Sequence, residues 1–198
     1  MERTTLPGVI LAGGRATRMG GGDKGLLPLK RRTVLDHVIA RLQSQASPLA
    51  INANGDPDRL AHLGLPVLSD SVAAHPGPLA GVLAGMDWAA SLGAEQIVTV
   101  AADTPFFPTD LVARLQAHGA PLTLAATRDG DGKLWRQPTF GLWPVALRED
   151  LRGALADGLR KIVLWTDRHD GGLVEFPAED AFFNINTPED LARAEAMP

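Results

Sequence analysis

The chain has 198 residues, enough to bury a core without staples, and residues 1–198 are expected to form one domain. Its 19 Lys and Arg against 23 Asp and Glu leave a formal charge of −4, which argues against a nucleic-acid partner held by bulk electrostatics. There is no cysteine, so disulfides and thiolate metal sites are excluded, and no apolar run approaches a membrane span.

The opening "MERTTLPGVILAGG" has too short an apolar stretch for a signal peptide and no small-residue cleavage site after it, so a cytoplasmic protein is expected. Within it "GVILA" (Gly8 to Ala12) reads as a buried strand ending in glycines. From Thr33, a plausible N-cap, Val34, Leu35, Val38, Ile39 and Leu42 recur at helical spacing. "PLAINAN" (Pro48 to Asn54) and "PVLSD" (Pro66 to Asp70) read as short strands, and Gly77 to Gly93 as a helix rich in Ala and Gly. "QIVTVAAD" (Gln96 to Asp103) is the best central strand. Pro108 to Gly119 reads as a helix, with Pro108 in its first turn and Gly119 just past its end. "PLTLAATR" and "PTFGLW" (Pro138 to Trp143) are further strands, separated by a polar stretch from Asp129 to Gln137 that reads as a loop. "FFNIN" (Phe182 to Asn186) reads as a late strand, followed by a helix with Thr187 as N-cap, Pro188 at N1 and Asp190 at N3. Strands alternating with helices give a mostly parallel sheet covered on both faces.

In such a sheet, ligands bind beyond the carboxyl ends of the strands. The first strand leaves a glycine loop there, "PLAINAN" leaves Asn52 and Asn54, "PVLSD" leaves Asp70, and "QIVTVAAD" leaves Asp103. "FFNIN" leaves Asn184 and Asn186, which would share one face of a strand. The loop "LAGGRATRMGGGDKG" holds six glycines with Arg15, Arg18 and Lys24. Its G-x-G-x-x-G begins too far past the strand for a dinucleotide fingerprint, and no Ser or Thr follows Lys24 as a Walker A loop requires. What remains is a backbone that polyphosphate can approach closely, with cations to meet it. Lys30, Arg31 and Arg32 read instead as a solvated turn. Asp103, followed by Pro105 and Pro108, is awkward as a helix cap and suits a hard divalent ion on phosphates. His37, His62, His75, His118 and His169 show no metal spacing; His37 and His118 suit surface or helix-end positions, and His75 lies near the expected rim. Trp88, Trp135, Trp143 and Trp165 read as core or rim packing, and no nucleophile elbow is present.

The stretch "LAGGRATRMGGGDKGLLPL" resembles the signature of the molybdenum cofactor guanylyltransferases, and "INAN", "VLSDS", "GPLAGVLAGM", "AADTPFFPTDL", "QPTFGLW" and "FFNINTPEDLARAE" match that family in order. One departure is Gln137, where the family often has His. The resemblance implies a three-layer Rossmann-like α/β nucleotidyltransferase fold and the transfer of GMP from GTP to molybdenum-bound molybdopterin. It further implies that Leu11, Ala12, Gly13 and Gly14 lie along the nucleotide, that Lys24 meets its phosphates, and that Asn52 and Asp70 hold its nucleoside side. Asp103 would hold Mg²⁺, Lys24, Arg18 and Asp103 would be the catalytic set, and Asn184 and Asn186 would serve the acceptor. A monomer is expected, in transient contact with proteins that deliver the acceptor or take the product. Two alternatives stand beside this: transfer of another nucleotide, such as CMP, and a non-catalytic nucleotide binder. Retention of both Lys24 and Asp103 speaks against the second.

Overall fold

The computed structural model of the chain describes residues 6–13, 24–72, 77–177 and 179–197. In chain order, β1 (Gly8–Leu11) is followed by a small antiparallel hairpin, β2 (Pro28–Leu29) with β3 (Arg32–Thr33), and by α1 (Val34–Gln43). Then come β4 (Leu49–Asn52), β5 (Val67–Leu68), α2 (Pro78–Ser91), β6 (Gln96–Ala101) and α3 (Leu111–Ala117). The second half adds β7 (Thr123–Arg128), β8 (Leu134–Pro144), α4 (Arg148–Ala156), α5 (Ile162–Arg168), β9 (Gly172–Phe176) and α6 (Pro188–Ala196).

Seven strands form one sheet in the order β5-β4-β1-β6-β8-β7-β9. It is mostly parallel; β8 alone runs against its neighbours β6 and β7. Period-two alternation feeds two cores. Ile10, Ile51, Val98 and Val100 face Val38 and Leu42 of α1 and Leu111 and Leu115 of α3. Val9, Leu11, Ile97, Leu124 and Trp143 face Leu79, Val82, Leu83 and Met86 of α2, with Leu151 and Leu155 of α4 and Trp165 of α5. The result is the expected three-layer α/β/α arrangement. A Cβ at Gly85 would stand 2.9 Å from Val9 Cγ2 and 3.0 Å from Ile97 Cδ1, so glycine here lets α2 lie close on β1 and β6. A third cluster, Leu29, Val34, Ile185 and Ala194, seats α6 beside the β2–β3 hairpin.

Four sequence expectations change. α3 starts at Leu111, and Pro108 sits in the preceding turn with its carbonyl accepting from Leu111 N–H (3.2 Å). The stretch from Asp129 to Gln137 is a loop only at its tip, because Leu134–Gln137 pairs with Ala125–Arg128 as the outer half of β8. "FFNIN" is no strand. A 3₁₀ turn (Glu179–Phe182) leads into irregular chain whose amides have other partners: Ile185 N–H donates to Asp103 O, and Asn186 and Thr187 N–H donate to the Asp190 carboxylate, each at 2.9 Å. The edge position goes to β9, which pairs in parallel with β7. Lys30 is not merely solvated: its φ is +55°, its N–H donates to Glu195 Oε1 (2.6 Å) and its ammonium to Met197 O (2.5 Å). Trp143 and Trp165 are core residues at 0% exposure, whereas Trp135 is 49% exposed, tied by Nε1 to Asp129 Oδ2 (2.6 Å).

β8 is irregular where it leaves β6. Leu124 faces Gly141 but Ala125 faces Gln137, so Pro138, Thr139 and Phe140 bulge from the ladder. The bulge is pinned from inside: Trp143 Nε1 donates to Thr99 Oγ1, and that hydroxyl donates to Thr139 O, both at 2.8 Å. No helix among the described residues is long and apolar enough to cross a membrane.

Both expected helix caps form as reciprocal pairs. Thr33 Oγ1 accepts from Asp36 N–H (3.1 Å) while Asp36 Oδ2 accepts from Thr33 N–H (2.9 Å), and Thr187 with Asp190 repeats the pattern at α6. The bond from the Thr33 amide holds the Asp36 carboxyl below its ordinary range, against the opposing effect of burial. A depressed folded-state value means the contribution is present above the ordinary carboxylate range and is lost as pH falls through the depressed one, below about pH 4. Asp36→Asn is therefore expected to lower the urea midpoint at pH 7, with the gap to the parent closing toward pH 2. A gap independent of pH would contradict this cap.

Candidate active site at the carboxyl edge of the sheet

Three parallel strands end level. Leu11 lies opposite Asn52 on one side and Ala101 on the other. The ladder runs one residue further, since Ala12 N–H donates to Asn52 O (2.8 Å) and Ala102 N–H to Leu11 O (3.1 Å). Beyond that, Ala12 is partly buried and Gly13 exposed, with open space where a Cβ would stand.

On the β4 side the asparagines converge on Asp70. Asn52, 3% exposed, donates through Nδ2 to Leu68 O (3.1 Å) and Asp70 Oδ1 (2.9 Å). Asn54 Nδ2 donates to Asp70 Oδ2 (2.7 Å), and the Asp70 N–H donates back to Asn54 Oδ1 (2.9 Å). Gly81 of α2 makes room for this arrangement, because a Cβ there would fall 2.1 Å from Asn52 Oδ1. The next residue, Ser71, is anchored too: its hydroxyl donates to Asp87 Oδ2 (2.6 Å), and Asp87 Oδ1 accepts from Arg152 (2.7 Å).

On the β6 side, Asp103 stands in the turn after the strand, eight positions before α3 begins at Leu111, so it caps no helix. The buried Thr104 hydroxyl donates to Asn184 Oδ1 and lies 3.2 Å from Asp103 Oδ1. With Ile185 N–H on Asp103 O, this joins the segment before α6 to the end of β6. A carboxylate and an amide oxygen thus sit on either side of one hydroxyl. These are hard oxygen donors of the kind a divalent cation takes alongside phosphates and water. No group of three or more His, Asp or Glu that could by itself cage a metal occurs among the described residues.

Next to Asn184 opens a cavity of about 400 Å³. Pro78 at the start of α2, Gln137 and the bulge Pro138–Phe140, Arg160, Lys161 and the first residues of α5 complete its wall. Gln137 donates through Nε2 to Thr127 Oγ1 (3.1 Å). Arg160 is held by the end of α4, its Nη1 donating to Leu155 O (3.1 Å) and Leu159 O (2.9 Å).

The structure therefore gathers Leu11, Ala12, Gly13, Asn52, Asp70, Asp103 and Asn184 at one edge. Asn186 is not among the cavity's lining residues and contributes its backbone to the α6 cap. Gly14, Arg15, Arg18 and His75 lie outside the described residues, and of Lys24 only the backbone is described, opening the 3₁₀ turn Lys24–Leu26. Sequence reading did not single out Thr104, Arg160 or Lys161, and it noticed Asn54 without giving it a role. The basic pair directly before the apolar "IVLW" was the available signal for the cavity.

A mostly parallel sheet with its polar groups at the carboxyl edge is an architecture that suits nucleotide binding, and the comparisons narrow it. Residues 8–170 match the MobA-like NTP transferase domain family. Proteins described as molybdenum cofactor guanylyltransferase are similar over nearly the whole chain. That of Bradyrhizobium sp. (strain ORS 278) is 50% identical, covering 98% of this chain and 93% of its own. That of Rhodopseudomonas palustris (strain BisB5) is 51% identical, covering 99% and 95%. Among solved structures, molybdopterin-guanine dinucleotide biosynthesis protein A from Archaeoglobus fulgidus superposes with a TM-score of 0.71 at 22% identity, over 96% of this chain and 97% of that one. 4-Diphosphocytidyl-2C-methyl-D-erythritol synthase from Anaerococcus prevotii gives 0.73 at 15% identity, over 98% and 95%; these two likenesses carry the fold alone. The chain is a nucleotidyltransferase, and it belongs to the molybdenum cofactor guanylyltransferase family.

Gly81→Ala tests the geometry directly. Alanine is favoured over glycine inside a helix by about 1 kcal/mol. Here the added methyl must displace Asn52 from Leu68 and Asp70, so the thermal midpoint is expected to fall. In an Asn52→Ala background most of the penalty should disappear, leaving only what the 3.0 Å approach to Leu11 Cδ2 costs. A penalty of undiminished size without the Asn52 side chain would contradict the contact.

Proposed function

We propose that the chain transfers GMP from GTP to the phosphate of molybdenum-bound molybdopterin, forming the guanine dinucleotide cofactor and pyrophosphate. The observation that carries this reading is the adjacency of two half-sites. The Asn52–Asp70 cluster and the Asp103–Asn184 pair stand on either side of the β1 end, and a cavity with two cations opens beside Asn184. The names of relatives at about 50% identity support it.

In this reading the nucleoside lies on the main chain of Leu11 to Gly14 and against Asn52 and Asp70. Arg18 and Lys24 meet the phosphates from the glycine loop, and Arg160 and Lys161 hold the anionic end of the acceptor in the cavity. An acceptor phosphate oxygen attacks the α-phosphorus of GTP. The bond from that phosphorus to the α–β bridging oxygen breaks, and its electron pair leaves with pyrophosphate. The nucleophile is already anionic at neutral pH, so no general base is needed, and catalysis reduces to alignment and charge stabilisation. Asp103, with the Asn184 oxygen, would hold Mg²⁺, which supplies further neutralisation of the phosphates when bound. The same reading takes residues 1–198 as one domain, acting as a monomer in the cytoplasm. It allows transient contact with proteins that hand over the acceptor or collect the product.

Asp103→Asn is expected to keep the fold and lose roughly 10²-fold or more in turnover at saturating Mg²⁺, the scale of one lost electrostatic stabiliser. Near-parental turnover would remove Asp103 from the mechanism. Arg160→Ala should raise KM for the molybdopterin acceptor while leaving KM for GTP alone; a rise in the GTP value instead would move that cation to the nucleotide. Pyrophosphate release with the molybdenum-loaded acceptor should strongly favour GTP over CTP and ATP. Comparable kcat/KM for GTP and CTP would replace the guanylyl reading with a cytidylyl one.

A further inference from the structure

Asn184 lines the cavity, and its main chain is held on both sides. Phe182 before it and Ile185 after it are buried in two different clusters, and Ile185 N–H donates to Asp103 O (2.9 Å). What stays open is rotation about the terminal bond of the side chain, which is broad and roughly two-fold for an amide. That rotation exchanges an acceptor oxygen for a donor NH₂ in nearly the same position.

Left to itself, an amide beside a carboxylate turns its NH₂ toward it, because a charged acceptor is the better partner. Asn184 does the opposite. Its Oδ1 faces the Asp103 side, and the Thr104 hydroxyl stands between them, donating to Asn184 Oδ1 and lying 3.2 Å from Asp103 Oδ1. A hydroxyl has one proton, and Thr104 commits it to the amide oxygen, the closer of the two acceptors. Thr104 is fully buried, so no bulk water competes for that proton. The consequence lies at the other end of the amide. Asn184 Nδ2 has no hydrogen-bond partner among the described residues, and it belongs to an exposed side chain on the wall that also carries Arg160 and Lys161. Two N–H donors beside two cations suit an anionic oxygen group.

Resting on the guanylyl reading above, we propose that Thr104 is a positioning residue. Its hydroxyl fixes the Asn184 amide with the oxygen on the Asp103 side, for the metal, and the NH₂ on the cavity side, where it donates to the phosphate of the acceptor. One amide then serves both half-sites. Without the hydroxyl the amide turns over. Its NH₂ pairs with the Asp103 carboxylate in the cation's place, while its oxygen faces the acceptor phosphate and repels it.

The test measures two quantities: equilibrium binding of metal-free molybdopterin without nucleotide or Mg²⁺, and the Mg²⁺ concentration that gives half-maximal turnover. Thr104→Val should weaken molybdopterin binding about tenfold or more, the scale of one hydrogen bond to a charged group, and raise the Mg²⁺ midpoint. Thr104→Ser keeps the hydroxyl and should stay within about threefold of the parent in both, less than the loss of one such bond. In an Asn184→Ala background, Thr104→Val should change molybdopterin binding no further. An equal loss in that background means that the hydroxyl acts through the fold, and overturns the positioning role; so does a Thr104→Val chain with parental affinity. Asn184→Asp keeps an oxygen toward Asp103 but loses the NH₂, so it should weaken molybdopterin binding without raising the Mg²⁺ midpoint. Parental molybdopterin affinity in Asn184→Asp overturns the assignment of the NH₂ end. That arm stands even if Thr104→Val does not fold, since Asn184 is exposed. Failure of the parent to bind molybdopterin would instead strike the guanylyl reading itself.

Discussion

Everything at the site hangs on the pairing of β1 with strands on both sides. Leu11 is level with Asn52 and with Ala101, and Ala12 and Ala102 extend the ladder by one amide each before the chains part. Strands in a sheet lie about 4.8 Å apart, so the ends of β4 and β6 are separated by about 10 Å, with the β1 terminus between them. The register cannot slip. A shift of one residue would turn Val9 and Leu11 from the α2 side to the α1 side and Ile10 the other way. Two tightly packed cores thereby fix the relative placement of the Asp70 carboxylate with its two asparagines, the end of β1 and Asp103.

The other half of the site depends on the one strand that runs backwards. Because β8 is antiparallel to β6, its first residues extend past the carboxyl end of β6, toward the same edge as the end of β1. The bulge at Pro138–Phe140 then pushes main chain and side chains out of the ladder to form one wall of the cavity. Its anchor is deep in the core, through Thr99 and Trp143, whose ring stacks on Trp165 of α5 with centroids 6.2 Å apart. The opposite wall, at the start of α5, is thus linked to the bulge through two buried indoles. α5 is also tied to α4, where Asp150 accepts from Trp165 Nε1 and contacts His169 Nε2, both at 2.8 Å.

The parts legible in the sequence are those whose local signal and tertiary role coincide. β1, β4 and β6 are short apolar runs bounded by polar or glycine residues, and in the structure they are buried on both faces. The capping residues Thr33 and Thr187 act where the sequence places them. Misreadings arise where partners decide. "FFNIN" has a strand's composition, but its amides are taken by Asp103 and Asp190, and it finds no ladder. The outer half of β8 looks like a loop because it is polar, yet β7 offers it a partner. β9 goes unread, as do the helices α4 and α5, whose N-termini carry no side-chain cap to announce them. In the site, strand-end polar residues pointed to Asn52, Asp70, Asp103 and Asn184, which the structure brings to one edge of the sheet. Their pairings were not legible, since Asn54 with Asp70 and Thr104 with Asn184 span 16 and 80 positions.

The central claim is that one nucleotide spans the level strand ends, its base toward Asp70 and its phosphates toward Asp103. A crystal structure with Mg²⁺ and a GTP analogue whose α–β bridging oxygen is a methylene group tests it most directly. The account predicts guanine beside the Asp70 carboxylate, the α-phosphate between Gly13 and Asp103, and the Arg160–Lys161 cavity left open for the acceptor. A nucleotide whose base lies in that cavity, or whose phosphates lie away from Asp103, would contradict it.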